Sequence, residues 1–173
     1  MKYLLLSALC LSLSLQTFAQ DRIVNNFVDK YSDLDAVTHL TLTGNLLKMV
    51  TNGDDEDGDR DLISELESIR IISIDDLTAI DASDLSALKQ AFQANDYEEL
   101  IRIRDGKDLI HIYLVENRDK VIEQLVILVQ EPEEFTIVSL SGTMYYDDLK
   151  NIDLDGDAGE MLQNLPDRGQ PRP

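Results

Sequence analysis

Residues 54–61, DDEDGDRD, place six carboxylates in eight positions, and DLDGD at 153–157 repeats the D-x-D-G-D spacing near the C-terminus. In a helix–loop–helix calcium site, oxygen ligands at loop positions 1, 3 and 5 converge on the ion. Glycine at 6 makes the sharp turn and a bidentate glutamate at 12 closes the shell. With Gly58 at position 6, Asp55, Asp57 and Asp61 fill positions 3, 5 and 9, but Gly53 stands at 1 and Ser64 at 12. Shifting the frame to Asp55, Asp57 and Asp59 brings Arg60 to the turn and Leu66 to the end, a poorer match. With Gly156 at position 6, Asn151, Asp153 and Asp155 fill 1, 3 and 5, while Leu162 occupies 12 and Glu160 lies nearby. The candidate ligands are therefore Asp55, Asp57, Asp61, Asn151, Asp153 and Asp155, with calcium as the candidate cofactor. Solvated acidic turns are the competing reading, and the spacing favours it: weak cation attraction needs only crowded like charges, which oppose compaction when no cation is present.

Other residue types offer less. The two histidines, His39 and His111, each fall in an alternating segment: His39 shares a face with Val37 and Thr41, His111 with Leu109 and Tyr113. They can meet across a sheet, but two imidazoles do not complete a zinc site. SLSG at 139–142 is not the G-x-S-x-G elbow of a serine hydrolase. Asp75-Asp76 and Asp147-Asp148 are carboxylate pairs of the kind turns use, and no phosphate-binding or dinucleotide glycine pattern occurs. No catalytic constellation is legible.

The elements that must position these residues follow from periodicity. DRIVNNFVDKYSDL carries Ile23, Phe27 and Tyr31 at four-residue spacing, a helix. AVTHLTLT at 36–43 alternates as a strand, and NLLKMV makes a short helix before the acidic loop. Leu62, Ile63, Leu66 and Ile69 mark another short helix, followed by the strand RIISI at 70–74. Asp81 or Ser83 caps a helix whose Leu85, Leu88 and Phe92 share a face and which ends near Asn95. Four strands follow: ELIRIR, a turn at Asp105-Gly106 of type I′, DLIHIYLVE, a turn at Asn117–Asp119, KVIEQLVILVQ, a turn at 131–134, and FTIVSLSG. A last short helix spans Tyr145 to Ile152. The order predicts an α+β fold: a largely antiparallel sheet with a C-terminal four-strand meander and helices packed mainly on one face. VILV at 126–129 is apolar on both faces, so the second face needs cover too, from a loop, a C-terminal helix or another subunit.

The chain opens with a lysine, an apolar run from about Leu4 to Leu15 and a small-residue site ending at Ala19, which reads as a secretory signal peptide over residues 1–19. The run is too short to span a membrane. Cys10 sits within the run and lacks a small residue directly before it, which argues against lipidation; it is the only cysteine, so the exported chain has neither disulfide nor thiol nucleophile. Residues 20–160 then form one domain and 161–173 a flexible tail. Loss of Lys2 takes the formal charge from −19 to −20. That surface repels nucleic acid and anionic lipid and suits divalent cations or a basic protein partner.

FVDKYSDLDAVTHLTLTGNLLKMV, IRIISI and the meander EELIRIRDGKDLIHIYLVENRDKVIEQLVILVQEPEEFTIVSLSGTM, behind a leader ending FAQ, together resemble a family of small secreted Bacteroidetes proteins catalogued as a domain of unknown function (DUF4252-like). The phrases LVILV and S-x-S-G carry the likeness, and the acidic insertion at 54–61 departs from it. The resemblance implies a periplasmic or extracellular, envelope-associated protein with a signalling connection and no assigned binding residue. Three functions compete. The first is a non-enzymatic module with a protein partner or self-association through a sheet face or edge. The others are a calcium-binding module and an uncharacterised hydrolase.

Overall fold

The computed structural model describes residues 17–51, 63, 65–150 and 157–165. Six strands form one antiparallel sheet in the order β1-β2-β6-β5-β4-β3: β1 Val37–Thr43, β2 Leu66–Ile74, β3 Glu98–Asp105, β4 Asp108–Glu116, β5 Ile122–Gln130 and β6 Phe135–Met144. The last four strands are the expected meander. Helices α1 (Thr17–Tyr31), α2 (Gly44–Thr51), α3 (Ala82–Ala94), α4 (Tyr146–Leu149) and α5 (Asp157–Gln163) complete the described fold with a 3₁₀ turn at Leu77–Ala79. It is the α+β architecture the sequence predicts.

The two longest helices lie on one face. Ile23, Val24, Phe27, Val28 and Tyr31 of α1 and Leu85, Leu88 and Phe92 of α3 are buried against Ile72, Ile74, Phe135, Ile137, Val126, Leu128 and Tyr113. Phe92 is fully buried between Tyr113, stacked at 4.9 Å, and Tyr97, edge-on at 4.8 Å. Asp81 caps α3 by accepting from Ser83 N at 2.8 Å. Tyr31 and Lys30 both bond Asp84, tying α1 to α3. The opposite face holds a second core, in which Leu47 of α2, Tyr146 and Leu149 of α4 and Leu162 of α5 pack with Leu125, Ile127, Ile112 and Leu114. Strand β5 is thus apolar on both faces because both are covered. Packing also continues past residue 160, where the sequence begins its flexible tail: Leu162 is fully buried and Leu165 partly so.

Two local expectations are corrected. Leu66 and Ile69 belong to β2, with helical backbone only before them, at Ile63 and Glu65. A bulge between Leu66 and Ser68 inserts one residue into the β2–β6 ladder and flips the strand's parity. Leu66 therefore joins Ile69 in the second core at a three-residue spacing that mimics a helix. Gly142, opposite Leu66, has φ +148, and a Cβ there would lie 2.6 Å from the Glu65 carbonyl, so the bulge requires glycine. The β3–β4 turn is centred on Gly106-Lys107, with Asp105 paired to Asp108. Only Gly106 takes positive φ, as in a type II′ turn, because a glycine in the first loop position satisfies that turn alone.

Candidate functional site

The six candidate calcium ligands, Asp55, Asp57, Asp61, Asn151, Asp153 and Asp155, lie outside the described residues. Among the described residues, no group of three or more histidine, cysteine or acidic side chains could hold a metal. His39 and His111 lie in one row of the sheet, through Ile72, Ile137 and Leu128, with three strands between them. Four strand spacings separate them by roughly 19 Å. The acidic pairs serve local structure: Asp76 accepts from Thr78 N at 2.9 Å, Asp75 from Ser73 Oγ at 2.9 Å, and Asp148 from Tyr145 N at 2.7 Å. Ser139 is buried and accepts from Gln124 Nε2 at 3.0 Å.

What the fold does bring together is a polar cluster where α3 crosses β4 and β3. Arg102 and His111 are partners in register, and a bulge between Glu99 and Ile101 places Glu99 opposite Tyr113 on the same face. Arg102 grips Glu99 with two bonds, Nε to Oε1 at 3.0 Å and Nη2 to Oε2 at 2.6 Å. His111 Nδ1 lies 2.6 Å from the same Oε1, so the neutral ring presents its Nδ1–H there. Burial holds His111 below the ordinary imidazole value, aided by the Lys89 and Arg102 charges and opposed by the Glu99 bond. Burial pushes Glu99 upward, but the bonds from Arg102 and His111 outweigh it and hold the carboxylate below its ordinary value. Tyr113 is buried, its hydroxyl lacks a hydrogen-bond partner among the described residues, and burial next to the Glu99 charge pushes it up to about 12. The phenol is a proton donor at any physiological pH. Lys89, on α3 between Leu85 and Phe92, is half-buried beside this group.

The second notable region is the far edge. Strand β1, VTHLTLT, has no acidic, lysine or arginine residue, all seven residues are at least partly exposed, and Leu40 is 45% exposed. Its pairing with β2 runs from Val37 to Thr43 without a bulge, and its other side faces no strand in the sheet. At its C-terminal end, Thr43, Gly44, Lys48, Glu67 and Thr143 line an open hollow of about 610 Å³.

A family model for a domain of unknown function (DUF4252) matches residues 31–152. The chain belongs to this family. No curated protein matches it. Among solved structures it is similar to a Pseudomonas aeruginosa protein of unknown function, PA94, at 12% identity and a TM-score of 0.33, over 79% of this chain and 83% of that one. That likeness is too slight to carry fold or function. The match to the DUF4252 model takes in β1 to β6 and α3, and so covers both the polar cluster and the β1 edge.

Proposed function

We propose that this DUF4252 protein is a non-enzymatic accessory of the cell envelope, exported by its leader, and that it docks an extended segment of a partner protein along β1. The observation that carries the reading is an edge strand left exposed among the described residues. Soluble proteins blunt sheet edges with lysine, proline, bulges or a covering element, because a free row of backbone N–H and C=O groups recruits another strand. In β1 none of lysine, proline or bulge is present over seven residues. An incoming strand would gain main-chain hydrogen bonds from the edge and side-chain contact from Leu40. The formal charge of −19 opposes self-pairing and favours a partner segment with basic flanks. The leader is compatible with this reading, since a cut after Ala19 falls ahead of Ile23, the first described buried residue of α1. Among the described residues no helix is long and apolar enough to cross a membrane.

Affinity capture from an envelope fraction with wild-type and L40K baits tests the proposal. Lysine at that position is the ordinary protection of an edge strand. Leu40 is nearly half exposed and belongs to neither core, so stability should change by no more than about 0.5 kcal/mol. A partner held by the wild type and lost from L40K supports edge docking. A partner held equally by both places its interface elsewhere.

A further inference from the structure

The cations beside Glu99 do not balance within the fold. Acidic residues outnumber basic ones 34 to 15, so an unpaired cation is unexpected on statistical grounds alone. Yet Glu99 already accepts three bonds, its Oε1 shared between Arg102 and His111 and its Oε2 bonded to Arg102. Neither Lys89 nor Arg104 makes an ion pair or hydrogen bond with any described residue. Arg102 and Arg104 stand two residues apart on one face of β3, about 7 Å from each other along the strand. Lys89 reaches the same place from α3, where burial first, then the Arg102 and Arg104 charges, opposed by Glu99, holds its ammonium below the ordinary lysine value. The guanidinium of Arg102 keeps N–H donors beyond those spent on Glu99. With His111 neutral, three cations against one carboxylate leave a local excess of two positive charges.

We propose that Lys89, Arg102 and Arg104 form a binding site for a phosphoryl dianion at the β3 edge of the helix-covered face. Three features select this ligand. A phosphate monoester carries roughly −1.5 to −2 at neutral pH, which matches the local excess. Guanidinium forks and an ammonium are the side chains that receive its oxygens. The field of the whole chain repels a polyanion such as nucleic acid. A small dianion within about 8 Å of the cluster, roughly one screening length, feels mainly the local charge. Glu99 acts as a positioning residue, since its two bonds to Arg102 fix where the free guanidinium edge points.

Calorimetric titration of the full chain with inorganic phosphate, at matched ionic strength against chloride, tests the site. The wild type should give saturable, one-site binding. K89Q/R104Q should weaken it by about tenfold or more. R118Q, on the distant β4–β5 turn, should leave it unchanged. Thermal unfolding of each variant checks the fold, and R104Q alone, which removes only an exposed and unpaired side chain, keeps the test available if the double variant does not fold. Heats that never saturate, or equal weakening in R118Q, would overturn the proposal. Co-sedimentation with phosphatidic acid vesicles, abolished in K89Q/R104Q, places the dianion on a lipid headgroup. Saturable phosphate binding without co-sedimentation places it on a soluble ligand.

Discussion

Strand β1 closes one side of the sheet with VTHLTLT, and β3 closes the other with EELIRIRD. The second is guarded in the usual ways: five of its eight residues are charged, and a bulge between Glu99 and Ile101 interrupts its pairing. Both devices are absent from the first. Burial follows the same division, since Ile101 and Ile103 of β3 are buried while no residue of β1 is. Two edges under the same pressure against aggregation have thus diverged. One spends its side chains on charge and core packing, and the other, among the described residues, leaves a bare backbone ladder beside a small exposed apolar surface. A charged edge can hold a small ion and a bare edge can hold a strand, and the division of labour proposed above rests on that contrast.

Perturbing each side should separate them. The largest effect is expected from Phe92→Ala, which removes the ring that joins α3 to Tyr113 and Tyr97. Chemical denaturation should show a loss of about 3–5 kcal/mol, with the β3 side loosened. Gly142→Ala comes next. The new Cβ would meet backbone atoms of residues 65–67 at 2.6–2.8 Å in a conformation that side chains rarely adopt. A cost of about 2 kcal/mol or more is expected, felt first where β2 enters the sheet beside β1.

A smaller effect is a pH dependence whose upper limb belongs to the β3 side, while Asp76, Asp81, Asp84 and Glu134, each held below its ordinary value by hydrogen bonds, share the acid limb. His111 is held below its ordinary 6.5, so the unfolded chain takes up its proton first as pH falls. The stability contributed by the neutral ring is complete above 6.5 and is lost as pH drops through that value toward the folded one. Glu99, held below its ordinary 4.5, adds a second loss at lower pH, as the carboxylate protonates through its folded value. The charged and titratable groups around the ring are Glu99, Lys89, Arg102 and Tyr113. Melting temperatures across this range should show the upper decline in the wild type and a flatter one in H111Q, with the lower decline retained in both. An unchanged upper slope in H111Q would remove His111 from the account.

Much of this was legible in the sequence. The meander, the capped helix after Asp81 and the double-sided burial of VILV follow from alternation and turn residues alone. So does Arg102 opposite His111, once the two loop residues of the β3–β4 hairpin are assigned correctly. Glu99 was not legible, because its place depends on a bulge that shifts parity between Glu99 and Ile101. The bulge at Leu66–Ser68 hid the start of β2 for the same reason. Lys89 was missed because a lysine next to a helix's buried stripe reads as solvated; only the packing of α3 on β3 reveals that it is half-buried and unpaired. The exposure of β1 was also hidden, since its alternation resembles that of a half-buried strand and the sequence does not say which strand lies at the edge.

Site-specific photo-crosslinking in the native host tests the difference between the edges most directly. A photoreactive residue is placed in turn at Thr41 of β1 and at Arg104 of β3, both exposed. A discrete protein adduct is expected from position 41 and none from position 104. An adduct from position 104 alone would contradict it, because the protein contact would then lie on the charged edge.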